Sequence, residues 1–352
     1  MTSLPTSATV CSRSQSRRNA RKRRQANEQS GTNLNDTVEA GRDSTTRSQL
    51  DRLLALAAER EPVRTAIVHP CDAASLGGAL EAFRMRLILP VLVGPPAKIA
   101  AAAAAAGEDL TGIRIVAVEH SHAAAEAGCR LARTSEVDAI MKGSLHTDEL
   151  LAAAVDREDG LRTDRRMSHV FILDVPTYPR PLFLSDAAIN IAPDLATKKD
   201  IVQNAIDCAH ALGVPEPRVA ILAAVETVHP NMLATTDAAA LAKMADRGQI
   251  VGGLIDGPLA FDNAISREAA DAKQIVSAVA GVADVLIVPN IEAGNMMAKQ
   301  LAYLANAQSA GIVMGARVPI ILTSRADGRL SRLASCAAAV LVARHKRTKP
   351  PR

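Results

Sequence analysis

Residues 283–327 read ADVLIVPNIEAGNMMAKQLAYLANAQSAGIVMGARVPIILTSRAD. Two apolar runs in this stretch, 285–288 and 318–322, have the length and branching of buried strands. Each stops at a polar loop, Pro-Asn-Ile-Glu-Ala-Gly-Asn after the first and Thr-Ser-Arg-Ala-Asp after the second. In an open α/β sheet, ligands bind in the crevice beyond the strand C-termini. At the first loop, Gly294 suits a close approach of backbone to ligand, and Asn295 suits a helix cap whose free N–H groups favour anions. At the second, Ser324, Arg325 and Asp327 bring a hydroxyl, a permanent cation and a base within four residues. The same residues also fit a strand-end loop with a solvated ion pair.

Upstream, from Ser48, the pattern is regular. Leu50, Leu53, Leu54 and Ala57 mark one face of a helix, and strands follow at 65–69, 88–93, 113–118 and 137–141 with helices between them. Strands alternating with helices of this length imply parallel sheet and right-handed crossovers. After Met141 the chain reads Lys142-Gly-Ser144-Leu-His-Thr147, a strand running through a glycine turn into a helix. That arrangement puts Lys142, Ser144, Thr147 and the helix amides where a phosphate can sit, although the Walker A spacing is absent. A capped helix with a snorkelling lysine is the plainer reading.

Residues 161–192 hold two apolar runs around a Pro-rich turn, which reads as an antiparallel pair. A second domain starts there. The expected organisation is a disordered tail at 1–46, one α/β/α domain from 47–164 plus 312–346, and another from 165–311. Further elements are expected at 197–212, 219–223, 237–246 and 266–279, with a turn at 255–264 and a last helix at 330–344 before a frayed basic tail.

The chain has 352 residues, 48% hydrophobic but only 2% aromatic, with no Trp. Ala, Val, Leu and Ile must therefore build the core. No apolar run reaches the roughly 18 residues that a bilayer span needs. The five cysteines are scattered, with no CxxC, which suggests buried thiols in a reducing, cytoplasmic setting rather than disulfides or zinc. Residues 1–47 hold nine Lys/Arg against four Asp/Glu, a net of +5, which leaves −1 for the rest of a chain of net +4. The run from Arg17 to Arg24 thus reads as a solvated tail, a targeting segment or a nucleic-acid-binding arm, on a body that is not basic. His120 and His122, at i and i+2, share no helix face and suit a structural or surface role rather than a metal.

Seven stretches together resemble the phosphate acetyl/butyryltransferase family. They are Met141-Lys-Gly-Ser144 with Thr147, Gly160-Leu-Arg162 with Ser168-His-Val170, Asp186-Ala-Ala-Ile-Asn190, Val225-Glu226 with Met232 and Thr235, the run from Asp256 to Ala264, Glu292-Ala-Gly-Asn295, and Thr323-Ser-Arg-Ala-Asp327. They occur in family order between residues 135 and 340, with a looser match from 48.

The resemblance implies two α/β/α domains like those of isocitrate/isopropylmalate dehydrogenases, with the active-site cleft between them. It also implies a homodimer that moves a short acyl group, acetyl or butyryl, between coenzyme A and phosphate. Acyl-CoA, phosphate and acyl phosphate would be substrates, with no resident cofactor or metal. By the same resemblance Arg325 would hold the phosphoryl group, assisted by Lys142, Ser144 and Thr147. Ser324 would orient the thiol or stabilise the oxyanion, and Asp327 would be the base. Asp186, Asn190, Glu292 and Asn295 would shape the cleft. The acetyl branch places an Asp six residues after the Arg, where this chain has Ser331; Asp327 and the MKG turn match the butyryl-like branch. A metal- and NAD(P)-dependent dehydrogenase of the same fold, and nucleic-acid binding through the basic arm, are the rival readings.

Overall fold

The computed structural model describes residues 48–322 and 328–348. The basic segment at the start and the trio Ser324, Arg325 and Asp327 lie outside the described residues.

The chain begins with α1 (Gln49–Ala58), whose first turn is capped by the Ser48 hydroxyl accepting from Asp51 N and whose Leu50, Leu53 and Ala57 are buried. Then follow β1 (Val63–Val68), α2 (Ala73–Arg84), β2 (Ile88–Gly94), α3 (Pro96–Ala106), β3 (Arg114–Ala117), α4 (Ser121–Arg133), β4 (Ala139–Lys142) and α5 (Thr147–Val155). The alternation breaks at β5 (Ser168–Asp174) and β6 (Leu182–Ser185), which pair antiparallel as their Pro-rich turn implies. Next come α6 (Leu195–Ala211), β7 (Arg218–Leu222), α7 (Leu233–Asp246), β8 (Leu254–Leu259), α8 (Phe261–Ile265) and α9 (Arg267–Ala272). The decisive stretch supplies β9 (Val285–Ile287), α10 (Ile291–Leu304), β10 (Gln308–Met314) and β11 (Ile320–Ile321), and α11 (Arg329–Thr348) closes the chain.

Among the described residues eleven strands form one mixed sheet, in the order β3-β2-β1-β4-β11-β10-β5-β6-β9-β7-β8. From β3 to β11 every pairing is parallel. β10 then runs antiparallel to both β11 and β5, and β5 antiparallel to β6. From β6 to β8 the strands are again parallel to one another. Counting the reversals, β6, β9, β7 and β8 point opposite to β1, β4 and β11. The strand C-termini of the two flanks therefore open at opposite ends of the sheet.

The core is made of small and branched side chains, as the composition requires. α11 is buried along its middle, with Ala334, Cys336, Ala337, Ala338, Ala339, Val340 and Val342 excluded from solvent. A helix apolar all round belongs inside a large core, and this one joins Leu50, Ile67 and Leu92 of one flank to Ile201 and Ile221 of the other in one cluster. It runs past the expected 330–344 to Thr348, and within it the half-buried Lys346 Nζ donates to Ala316 O at 2.7 Å.

Other expectations also need correcting. Residues 254–259 form a strand rather than a turn, and the helix expected to reach 279 ends at Ala272. β10 was not expected at all. Its Gln-Ser-Ala-Gly start carries little strand signal, and pairing with β5 over seven residues holds it instead.

Candidate active site

β2 lies on one side of β1 and β4 on the other, so the gap between the C-terminal ends of β1 and β4 is the topological switch point of the parallel flank. Two described loops meet there. The first leaves β1 as His69-Pro-Cys71-Asp72 and the second leaves β4 as Gly143-Ser144, while β11, next to β4, is described as far as Leu322.

The first two loops are tied backbone to backbone. Gly143 N donates to Val68 O at 2.8 Å, and Ser144 N donates to His69 O at 2.9 Å. Gly143 has to be glycine: a Cβ there would sit 2.5 Å from Val68 O and 2.6 Å from His69 O. Ser144 is part of the same brace, its hydroxyl donating to His69 O at 2.9 Å and accepting from Cys71 N at 3.0 Å. Lys142, the last residue of β4, is buried and its Nζ donates to Gly143 O and Leu145 O at 3.3 and 3.4 Å. Thr147 opens α5, half-buried.

The helix starts around this point differ from most others in the protein. α1, α2, α4, α6 and α10 each begin with a side-chain cap hydrogen bond. α3 and α5, which start at the ends of β2 and β4, have none, and neither do α7 and α8. The first-turn amides of α5, and in α3 those of Ala97 and Lys98 that follow Pro95 and Pro96, are without a side-chain cap and suit an anion. Lys142, Ser144 and Thr147 thus come together as the sequence predicts, beside the strand that leads to Ser324 and Arg325. The plainer reading of a capped helix at Thr147 does not hold.

The remaining predicted residues form a second cluster. β6 ends in a cis peptide between Ser185 and Asp186. The Asp186 carboxylate turns back on its own loop, accepting from Ala188 N, Ile189 N and Asn190 N at 3.0–3.2 Å and from Asn190 Nδ2 at 2.6 Å. Asn190 Nδ2 also donates to Met167 O at 2.9 Å. Asn295 does not cap α10; Asn290 does, accepting from Ala293 N at 3.0 Å, while Asn295 Nδ2 donates to Ala187 O at 3.3 Å. A Cβ on Gly294 would lie 2.9 Å from Asp186 O, so the glycine admits the helix to this loop. Glu292 is exposed in the first turn. Four strand spacings separate β4 from β6, roughly 19 Å at about 4.8 Å each, and the two strands end in opposite directions. This second cluster braces its own loop, whose Ile189 packs against the same apolar cluster that holds Leu145.

Sequence reasoning missed His69 and Cys71. The available signal was position alone: they follow the first strand of the parallel flank. Burial pushes the His69 imidazole below its ordinary value, with the Ser144 backbone opposing, and burial pushes the Cys71 thiol up. Cys129, Cys208 and Cys336 are buried, each pushed up to about 12 by burial, which suits inert core thiols. His120 caps α4, its Nδ1 accepting from Ala123 N at 3.2 Å.

A switch point in a parallel flank, with a lysine and uncapped helix starts beside it, defines an α/β protein whose strand-end loops suit an anion. The profile of the family described as Phosphate acetyl/butaryl transferase matches residues 116–340, and the chain belongs to that family. It is 57% identical to the phosphate acetyltransferase of Rhizobium meliloti, covering 85% of this chain and 95% of that one. It is 40% identical to the phosphate butyryltransferase of Clostridium acetobutylicum, over 82% and 95% of the two chains. The branched-chain phosphotransacylase structure from Enterococcus faecalis V583 superposes with a TM-score of 0.70 at 27% identity, covering 80% of this chain and 99% of that one. The chain is thus a phosphate acyltransferase. No helix among the described residues is long and apolar enough to cross a membrane.

Proposed function

We propose that the switch-point crevice exchanges a short acyl group between coenzyme A and inorganic phosphate in a ternary complex, with no resident cofactor, metal or covalent enzyme intermediate. The observation that carries this is the pairing of the uncapped starts of α3 and α5 with Lys142 beside the strand leading to Ser324 and Arg325. The thiol attacks the acyl carbon, the S–C bond forms, and the C–O bond to phosphate breaks.

A free thiol of pKa about 8.5 is a few per cent ionised at pH 7, so complete deprotonation is worth at most about 2 kcal/mol. Holding two substrates in register contributes about 7–11 kcal/mol. Positioning dominates. Arg325 binds the phosphoryl oxygens through its planar fork, with Lys142 and Thr147 opposite. Ser324 donates to the developing oxyanion, and Asp327 is the acidic group of the same loop. Acetyl is favoured over butyryl by the 57% identity to a named acetyltransferase, against the butyryl-like Asp327 motif.

The chain works in the cytoplasm as a homodimer. Its support is the outer face of α10, where Met296, Tyr303 and Leu304 are exposed on one stripe and Ile191 lies beside the helix start. The two-domain division falls where β10 meets β5, and the switch-point crevice, rather than a cleft reaching Asp186, is the reacting centre.

Phosphate-dependent release of thiol from acetyl-CoA and butyryl-CoA, followed with a thiol reagent, tests the reading, and acetyl-CoA should be the faster substrate. Arg325→Lys should lower turnover by more than about tenfold, because a point charge cannot replace the bidentate fork. Near-normal kinetics in that variant would remove Arg325 from the site.

A further inference from the structure

We propose that His69 is the base that takes the proton from the substrate thiol; this deepens the acyl-transfer reading and rests on it. The argument begins with the backbone. His69 has a φ of +55°, a left-handed conformation that costs a residue with a side chain free energy and persists only when the surroundings enforce it. Here they do. His69 N donates to Val93 O at 2.7 Å, and His69 O accepts from Cys71 N, Ser144 N and Ser144 Oγ, each at 2.9 Å. Gly143 gives up a side chain so that the two loops can meet. Non-glycine strain held this firmly at a switch point marks a side chain being aimed.

The same hydrogen bonds set the ring's tautomer. Ser144 Oγ spends its single hydrogen on His69 O at 2.9 Å and accepts from Cys71 N at 3.0 Å. His69 Nδ1 lies 3.4 Å from that oxygen, so the hydrogen between them belongs to the ring. Nδ1 then carries the proton, and Nε2 keeps an unprotonated lone pair.

The charges around the ring come from three helix starts. Asp72 caps α2, Lys98 lies in the first turn of α3, and Glu149 lies in the first turn of α5. Lys142 ends the adjacent strand β4, level with Val68. Burial is the largest influence and keeps the ring neutral at pH 7, with Lys98 adding to it and the two carboxylates opposing. A neutral, half-buried imidazole whose Nε2 keeps its lone pair in that tautomer, on the loop braced to the start of α5, is placed as a base for the second substrate.

The step balances. The S–H proton passes to His69 Nε2 and the sulfur pair forms the S–C bond. The C–O bond leaves its electrons on phosphate, which then collects the proton from the imidazolium.

Because the thiol ionises unaided near pH 8.5, losing the base costs about 30-fold at pH 7 and little at pH 9. The experiment follows thioester formation from acetyl phosphate and coenzyme A between pH 5 and 9.5, for the wild type, His69→Asn and Asp327→Asn. Asn tolerates the left-handed backbone, and thermal melting confirms that the variant is folded. His69→Asn should be about 30-fold slower at pH 7 and within about threefold at pH 9, and Asp327→Asn should keep the wild-type acid limb. A His69→Asn deficit that is absent or constant across pH, or a deficit that closes with pH in Asp327→Asn instead, would overturn His69 as the base. The wild type tests the same point without a variant: kcat/KM must fall on the acid side below an inflection under 6.5, and a profile flat down to pH 5 would sink the assignment. No thioester at any pH from the wild type would sink the acyl-transfer reading along with it.

Discussion

The two flanks of the sheet handle polar chemistry in opposite ways. In the flank from β3 to β11, α3 and α5 begin without side-chain caps, and the Lys142 ammonium reaches two carbonyls of its own loop only at 3.3 and 3.4 Å. In the flank from β6 to β8, the strand-end carboxylate Asp186 consumes the amides of its own loop. The surfaces differ as well. Among residues 48–164 the most exposed large apolar side chain is Val155 at 47%, whereas Leu304 reaches 83% and Tyr303 79%. Beside Lys142 two helix starts carry no side-chain cap, whereas the Asp186 loop satisfies its own amides, and the greatest apolar exposure falls outside residues 48–164. An exposed apolar stripe rimmed by polar residues suits an interface, so the proposed reacting centre and the proposed assembly face fall on different flanks.

The largest expected effect lies where the second flank satisfies itself. Asp186→Ala would remove a buried carboxylate and leave four part-buried donors without their acceptor, each costing less than the roughly 1–3 kcal/mol of a fully buried donor. A net loss of about 3 kcal/mol or more in urea unfolding is expected, with KM for both substrates little changed in the folded fraction. A several-fold rise in KM would put Asp186 in contact with substrate and break the division.

Gly143→Ala comes next. The new methyl meets two carbonyl oxygens, so the loops must part, costing about 1–3 kcal/mol of stability. Turnover should fall by about tenfold or more, because the crevice loses register as well as stability. Loss of stability with unchanged turnover would detach the brace from the reaction.

Leu304→Asp with Tyr303→Asp should have the smallest kinetic effect. Sedimentation should show monomer replacing dimer, with turnover per chain within about twofold. A large loss of turnover would mean that the assembly face reaches the crevice.

Much of this was legible in the sequence, because apolar runs between turn residues report strands directly. The β1–β4 flank, the antiparallel β5/β6 pair and the Lys142-Gly-Ser turn all follow from local patterns. The failures have physical causes. The Asp256-Gly-Pro258 series reads as a turn, yet β8 runs through it, paired with β7. β10 begins with small polar residues and is fixed by its partners. Asn290, five residues before Asn295, is the cap of α10, and the two asparagines carry the same side chain, so residue type does not choose between them. The split of the predicted site into two clusters depends on counting strand reversals, which no motif carries. His69 draws its meaning from helix starts contributed by three separate parts of the chain, and Ser324, Arg325 and Asp327 lie outside the described residues.

The position of α11 bears on how the protein comes to be folded. The first flank places β11 beside β4, and α11 fills the core beneath that flank. Both are made from residues 320–348, some 180 residues after β4 in the chain. During synthesis the β1–β4 flank therefore emerges long before the helix that buries its apolar face. Contacts this distant in sequence slow folding and leave apolar surface exposed in the meantime. The crevice is among the last parts of the molecule to close, and a ribosome-bound chain ending before residue 320 should be protease-sensitive throughout residues 48–164.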